Sequence, residues 1–173
     1  MAPATPDRSH DRLRMVDRQV ARRGVRDDAV LAAMRDVPRE VFVPETLQEF
    51  AYEDCPLPIE AGQTISQPYV VGLMAAAAGL GSDAHVLEIG AGSGYAAAVL
   101  SRIAARVFAV ERHHALATRA AERLRRLGYD NVELHTGDGT GGWPEEAPFD
   151  AILVSAGGPE VPCLLYTSPS PRD

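Results

Sequence analysis

The fold of this chain is decided by residues 86–95, which read Val-Leu-Glu-Ile-Gly-Ala-Gly-Ser-Gly-Tyr. A short apolar strand runs into three glycines at alternate positions, and an alanine-rich helical segment follows at 96–105. Glycine adopts backbone angles that other residues avoid, and it leaves no side chain to keep a ligand away from the main chain. A glycine loop between a strand and a helix therefore predicts a site for a nucleotide-like group at the start of that helix.

The next apolar strand supplies a second part of this site. Residues 107–110 are apolar and are followed by Glu111, which comes 21 residues after Gly90. A carboxylate about 20 residues beyond the first glycine is typical of a group that receives the hydroxyls of a ribose. Strand, glycine loop, helix, strand and terminal acid together predict a nucleoside cofactor.

The spacing of the glycines distinguishes a dinucleotide from other nucleoside cofactors. A dinucleotide fingerprint needs a third glycine at position 95, where this chain has Tyr95. Glu88 on the first strand would oppose a pyrophosphate, whereas it suits a cofactor with a cationic, amino-acid-like end. The observed pattern resembles the S-adenosylmethionine site of the Rossmann-like methyltransferases. A tight turn without a ligand is the alternative, and Glu111 at the end of the next strand weighs against it.

Composition excludes several classes of protein. The chain has 173 residues, of which 46% are hydrophobic and 24% charged, as in an ordinary globular domain. Its net charge of −7 argues against a nucleic-acid partner. No apolar stretch approaches the ~20 residues of a membrane span, so we expect no membrane partner. The two cysteines share no metal-ligand spacing, so we expect no metal site and a cytoplasmic location.

Hydrophobic periodicity divides the chain into four parts. We expect a disordered lead at 1–10, a helical and Pro-rich region at 11–80, and a cofactor-binding core at 81–162. Residues 163–173 fit neither a helix nor a strand, and we expect them to be a non-native tail after an incomplete sheet. The strands of the core are expected at 85–89, 107–111, 132–135 and 150–155, and its helices at 95–105 and 114–127. Strands that alternate with helices in this way predict an α/β fold with a doubly wound, mostly parallel sheet.

Several segments outside the glycine loop resemble the protein-L-isoaspartate O-methyltransferase family. The most specific is Gly62-Gln63-Thr64-Ile65-Ser66-Gln67-Pro68-Tyr69, which no general methyltransferase requires. The others are Val37-Pro38-Arg39-Glu40, Pro56-Leu57-Pro58-Ile59, Gly137-Asp138-Gly139 and Ala147-Pro148-Phe149-Asp150. The resemblance runs from Met15 to Pro162. It departs from the family at Glu60 and Ala91, where many relatives have glycine and threonine.

The resemblance implies a Rossmann-like S-adenosylmethionine-dependent methyltransferase that repairs damaged proteins. Its substrate would be the α-carboxylate of L-isoaspartyl residues in proteins or peptides, and we expect a monomer. Ser66 matches the family's active-site serine, and Thr64, Ile65 and Gln67 would form a wall over cofactor and substrate. The implied cofactor-binding residues are Glu88, Gly90, Ala91, Gly92, Ser93, Gly94, Glu111, Arg112, Asp138 and Gly139.

The chemistry of a carboxylate substrate explains why no catalytic base is evident. An ordinary carboxyl group has a pKa near ~4, so this nucleophile is already ionised at neutral pH. The rate must then come mainly from alignment and the exclusion of water. We expect Ser66 to orient the substrate through a hydrogen bond and not to act as a nucleophile. On spacing alone, a helix cap before Pro68 is the preferred interpretation of Ser66, whereas the match of the whole segment 63–68 favours the active site. Asp138 with Gly139 would by itself also suit a plain turn, although its place directly after the third strand weighs against that.

Two other functions remain open at this point. One is a different S-adenosylmethionine-dependent methyltransferase that acts on RNA or on a small molecule, although the net charge does not favour RNA. The other is an inactive truncated fragment, because an incomplete sheet would leave an exposed edge.

Overall fold

The N-terminal part of the chain is mostly helical. The structure, a computed structural model, describes residues 7–157. Helix α1 (Ser9–Met15) continues through a π-helical turn at Val16–Val20 and a 3-10 turn at Ala21–Arg23, and α2 (Asp28–Asp36) follows. Gly24 ends the first helical run with a φ of 104°. The side chain of Asp27 caps α2 by accepting a hydrogen bond from the Val30 amide at 2.9 Å.

The first helix begins earlier than expected. Within the lead predicted at 1–10, residues 7–10 are described, and α1 starts at Ser9. Asp7 accepts a hydrogen bond from the Ser9 amide at 2.9 Å, and Arg8 pairs with Asp11 at 2.9 Å. Arg8 also donates to the carbonyls of Gln48 and Glu49, which ties this end of the chain to the rest. The remaining lead, and the tail predicted at 163–173, lie outside the described residues.

The Pro-rich region forms short turns and a small hairpin. 3-10 turns occupy Arg39–Phe42, Glu45–Phe50 and Glu60–Gly62. Strands β1 (Leu57–Pro58) and β2 (Thr64–Ile65) pair antiparallel, with Leu57 opposite Ile65. Helix α3 (Pro68–Ala78) follows directly, with Pro68 in its first turn and Gly79 in the left-handed conformation at its end. Ser66 and Gln67 therefore form a two-residue link between the hairpin and α3.

A parallel sheet forms the centre of the fold. Its strands are β3 (His85–Ile89), β4 (Arg106–Glu111), β5 (Val132–Thr136) and β6 (Ala151–Val154), in the spatial order β5-β4-β3-β6. Each strand lies within one residue of its predicted position, and all pairs are parallel. The α/β class, the doubly wound sheet and the helical and irregular N-terminal extension are confirmed. The described part of the sheet contains four strands.

Helices connect the strands and cover the sheet. Helix α4 (Tyr95–Ser101) is shorter than predicted, because the chain turns after Ser101 so that the Ala105 amide reaches the Ala84 carbonyl at 3.0 Å. Helix α5 (His114–Arg126) runs as predicted to within a residue. None of the helices described within residues 7–157 is long and apolar enough to cross a membrane.

Two apolar clusters surround the sheet. The larger one includes the fully buried Ala97, Ala98 and Val99 of α4. The smaller one joins Leu87, Phe108 and Val110 to Trp143 and Phe149 of the loop before β6. The ring of Trp143 lies 5.6 Å from that of Phe108, edge to face. Trp143 is therefore part of the packing, and the loop that carries it is fixed against the strands.

Candidate cofactor and substrate site

A cleft opens where β3 and β6 end, and it encloses about 310 Å³. Ligands of parallel α/β sheets bind at the carboxyl ends of the strands, so this is the expected place for a site. The cleft joins the glycine loop to the segment after β2. Its lining residues are Thr64, Ile65, Ser66, Val71, Glu88, Gly90, Ala91, Gly92, Ser93, Tyr95, Ala96 and Ser155.

The glycine loop has a conformation that requires glycine. Gly90, Gly92 and Gly94 have φ values of 91°, 54° and 87°. The amides of Gly90 and Ala91 donate to the Val110 carbonyl at 2.8 and 3.2 Å, which ties the loop to the end of β4. A Cβ on Gly94 would lie 3.2 Å from Cδ1 of Leu124, so this glycine lets α5 approach closely. The loop is thus held in place by the protein itself.

Glu111 is part of this support. It is only 5% exposed, and its Oε2 accepts a hydrogen bond from the Gly92 amide while Oε1 accepts one from the His113 amide, both at 2.9 Å. The carboxylate lies beside the loop and does not line the cleft. Its predicted role toward a ribose stays a prediction, and its role in fixing the loop was not foreseen from the sequence.

Glu88 is a buried acid on the wall of the cleft. Its side chain is 1% exposed, and its Oε2 has no hydrogen-bond partner among the described residues. The pKa of Glu88 is raised to about 8, mainly by burial; the charge of Glu111 adds to the rise, and a hydrogen bond from Ser155 opposes it. A bound cation would remove this cost of ionisation. The site therefore fits a ligand with a positively charged end.

Strand β2 and the residue after it form the opposite wall. Thr64, Ile65 and Ser66 all line the cleft, and the Ser66 carbonyl accepts a hydrogen bond from Arg39 at 2.8 Å. Gln67 was predicted to belong to this wall, but it is not among the lining residues of the cleft. Its side-chain amide donates a hydrogen bond to Oδ1 of Asp54 at 2.8 Å.

Asp138 and Gly139, which the resemblance implies as cofactor-binding residues, lie next to the cleft and not in its lining. Asp138 is exposed, and its Oδ1 accepts a hydrogen bond from the Thr140 amide at 3.0 Å, which lowers its pKa. Arg112, which also lies outside the lining, lowers that pKa further through its charge. Gly139 approaches β3 so closely that a Cβ there would overlap the side chain of Ile89. The loop after β5 is thus fixed beside the start of the glycine loop.

Five residues at the site were not predicted from the sequence, and two of them are Val71 and Ala96 of the cleft lining. Tyr95 and Ser155 line the cleft, and the side chain of Ile59 lies over the glycine loop, 3.5 Å from where a Cβ of Gly92 would be. Ile59 belongs to residues 56–59, which resemble the family, and this resemblance could have indicated that Ile59 lies at the site. Ser155 is the last residue of the strand predicted at 150–155, and the rule that sites form at strand ends pointed to it.

Comparison with known proteins gives consistent matches. The family model described as protein-L-isoaspartate(D-aspartate) O-methyltransferase matches residues 10–168. Protein-L-isoaspartate O-methyltransferase 2 of Pelobacter propionicus is 59% identical over 160 residues, which are 92% of this chain and 71% of that protein. The protein-L-isoaspartate O-methyltransferase of Rhodopseudomonas palustris is 61% identical over 148 residues, or 86% of this chain and 68% of that protein.

Solved structures agree with these sequence matches. A protein-L-isoaspartate O-methyltransferase has a TM-score of 0.77 and 34% identity, and the match covers 92% of this chain and 51% of the other. A structure from Plasmodium falciparum, described as a putative member in complex with S-adenosyl-L-homocysteine, has a TM-score of 0.74 and 26% identity. That match covers 89% of this chain and 77% of the other. The chain thus spans about half to three quarters of the length of these four proteins.

Proposed function

This chain belongs to the protein-L-isoaspartate O-methyltransferase family, and we propose that its cleft methylates L-isoaspartyl residues in damaged proteins. The methyl group comes from S-adenosylmethionine and goes to the α-carboxylate of the isoaspartyl residue. One observation carries the proposal. Ser66, from the segment specific to the family, lines the same cleft as the glycine loop.

The residues of the cleft fit S-adenosylmethionine. When bound, this cofactor supplies a methyl group on a positively charged sulfur. The unpaired oxygen of Glu88 suits the cationic methionine end, and the open backbone of the glycine loop suits a nucleoside. A relative of similar fold, described with S-adenosyl-L-homocysteine, supports the same cofactor. The residues proposed to hold it are Glu88, Gly90, Ala91, Gly92, Ser93, Gly94, Glu111, Arg112, Asp138 and Gly139.

Ser66 is proposed to orient the substrate. Its hydroxyl can donate one hydrogen bond to a carboxylate, and the substrate carboxylate is ionised without help at neutral pH. Thr64 and Ile65 line the same wall. The methyl group would move from the positively charged sulfur to a carboxylate oxygen, which leaves a neutral thioether and a neutral ester. Alignment of the two reactants in a partly dry cleft therefore favours the reaction. No proton has to be removed in this step.

The proposed setting follows from charge and chemistry. We propose that the protein acts in the cytoplasm, as a monomer, on isoaspartyl-containing proteins and not on nucleic acid. The net charge of −7 supports a substrate other than a phosphate backbone.

A labelled-methyl assay tests the function. The full chain is incubated with methyl-labelled S-adenosylmethionine and either an isoaspartyl peptide or the same peptide with a normal aspartyl residue. We expect label that is released by mild base, as from a carboxyl ester, on the isoaspartyl peptide alone. Equal labelling of both peptides, or of neither, would contradict the proposal.

A further inference from the structure

Arg39 is a buried cation with no carboxylate partner among the described residues. Its side chain is 0% exposed. Nε donates to the Ala51 carbonyl and Nη2 to the Ser66 carbonyl, both at 2.8 Å, and Nη1 has no partner within the described chain. Burial lowers the pKa of Arg39, yet a guanidinium stays charged at neutral pH. A charge buried at this cost needs a reason beyond filling space.

The guanidinium lies between the two walls of the cleft. It is stacked 4.8 Å from the centroid of the Tyr95 ring. Tyr95 is the first residue of α4, directly after Gly94, and its own side chain is 1% exposed. Arg39 thus contacts the Ser66 peptide on one side and the residue that follows the glycine loop on the other. It is not itself a lining residue of the cleft.

We propose that Arg39 is a positioning residue that fixes the Ser66 peptide relative to the glycine loop. In this way it sets the place of the Ser66 hydroxyl, and so the direction from which the substrate carboxylate approaches. The inference rests on the proposed function, since it assigns Arg39 a role in orienting that substrate.

The two walls differ in how much they depend on Arg39. The glycine loop is held independently, by the hydrogen bonds of Gly90 to Val110 and of Gly92 to Glu111. Ser66 lies in the gap between the last pair of the β1–β2 hairpin and the start of α3, so neither element fixes its carbonyl. Loss of Arg39 therefore affects the substrate wall more than the cofactor wall.

A lysine cannot replace this arginine. The planar guanidinium divides its donors between two carbonyls in fixed directions and lies over an aromatic ring. An ammonium group on a flexible stem keeps the charge but loses this geometry. Arg39→Lys is therefore the sharpest variant, because it preserves the charge and most of the volume.

Arg102 offers a matched control. It also stacks on a tyrosine, with its guanidinium carbon 4.7 Å from the ring centroid of Tyr129, and it pairs with Asp36 at 2.9 Å. It lies outside the cleft lining. Arg102→Lys removes the same kind of stack without touching either wall of the site.

The test measures peptide kinetics and cofactor affinity separately in the full chain. For Arg39→Lys we expect kcat/KM for an isoaspartyl peptide to fall by about tenfold to a hundredfold, the scale of a catalytic group displaced by about 1 Å. Calorimetry should find the Kd for S-adenosylhomocysteine within about threefold of the wild type, because the glycine loop is held independently. Arg102→Lys should change neither quantity. A folded Arg39→Lys with wild-type peptide kinetics, or with parallel losses of peptide turnover and cofactor affinity, overturns the inference.

The wild type and a second variant complete the test. Wild-type protein that does not label the isoaspartyl peptide refutes the proposed function, whereas an active wild type with an unaffected Arg39→Lys refutes this inference alone. If Arg39→Lys does not fold, Arg39→Gln takes its place, since it brings no charge into the buried position. Failure of both to fold while Arg102→Lys folds would make Arg39 a folding residue and overturn its positioning role.

Discussion

Replacing Glu88 by glutamine should make the stability of the cofactor-free protein less dependent on pH. Glu88 is fully buried on the cleft wall, and burial raises its pKa from an ordinary 4.5 to about 8. Between these two values the folded protein holds a proton that the unfolded chain has released. The contribution of Glu88 to the free energy of unfolding of the wild type therefore falls as the pH rises from 4.5 to 8. A glutamine side chain does not titrate, so the Glu88→Gln variant lacks this contribution.

The size of the effect follows from the shift. The pKa values of Glu88 in the folded and unfolded states differ by about 3.5 units. At ~1.4 kcal/mol for each unit, Glu88 lowers the free energy of unfolding by roughly 5 kcal/mol at pH 8 and above. This is a large part of the roughly 5–15 kcal/mol that typically separates a folded domain from its unfolded chain. At pH 5, where Glu88 is protonated, the two side chains are nearly isosteric and neutral. The variant and the wild type should then unfold at similar urea concentrations.

Urea unfolding at pH 5, 6.5 and 8 checks this prediction. The free energy of unfolding of Glu88→Gln minus that of the wild type should grow with pH by about 1.4 kcal/mol per unit. Glu45→Gln is the control, because Glu45 is exposed and its replacement should leave the pH dependence as in the wild type. A Glu88→Gln difference that stays constant from pH 5 to pH 8 would refute the account of Glu88 as a buried, unpaired acid.

Three further predictions concern the two walls of the cleft. Ser66→Ala should lower kcat/KM for an isoaspartyl peptide by about tenfold or more, as expected for the loss of one hydrogen bond to a charged group. Calorimetry should find the binding of S-adenosylhomocysteine little changed, and full turnover of the peptide would exclude an orienting role. Gly90→Ala forces a side chain into a φ of 91°, at a cost of about 1–2 kcal/mol before any overlap, and should weaken S-adenosylhomocysteine binding at least about tenfold. Gly141→Ala, with open space around it, is its control, and equal effects of the two changes would count against a shaped loop. Glu60→Ala removes an exposed ion pair with Arg119 and should change the free energy of unfolding by less than about 1 kcal/mol, measured in urea; a larger loss would mean that this pair clamps the hairpin to α5.

The sheet and its connections were predictable because they depend on local pattern. Apolar runs of four to six residues separated by amphipathic helices gave the four strands to within a residue. The alternate glycines fixed the place of the loop, since three left-handed positions at alternate residues are readily open only to glycine. The end of α4 was the exception. Its alanines continue the helical pattern beyond Ser101, but pairing of the next residues with β3 stops the helix there.

The hairpin and the buried polar groups were not predictable, because they depend on contacts distant in sequence. Two strands of two residues each, one of which contains a proline, carry no periodicity that separates them from a loop. Nothing local distinguishes the buried Arg39 from the many exposed arginines of this chain. Its hydrogen bonds join residues 12 and 27 positions away.

The contacts of single polar side chains were harder to predict than the place of the site. The role of Glu111 toward a ribose stays a prediction, whereas the hydrogen bonds of its two oxygens to the glycine loop and the start of α5 were not foreseen. Gln67 was expected in the cleft wall but pairs with Asp54 outside it. The spacing of such residues in the sequence predicts which edge of the sheet they lie at. The direction of each side chain depends on packing contacts, which the spacing does not reveal.

A crystal structure with S-adenosylhomocysteine tests the central claim most directly. The account predicts that the nucleoside lies along the glycine loop, with its amino group at Glu88 and its sulfur facing the Ser66 wall. A cleft without ligand at saturating concentration, or a nucleoside bound elsewhere on the chain, would contradict it.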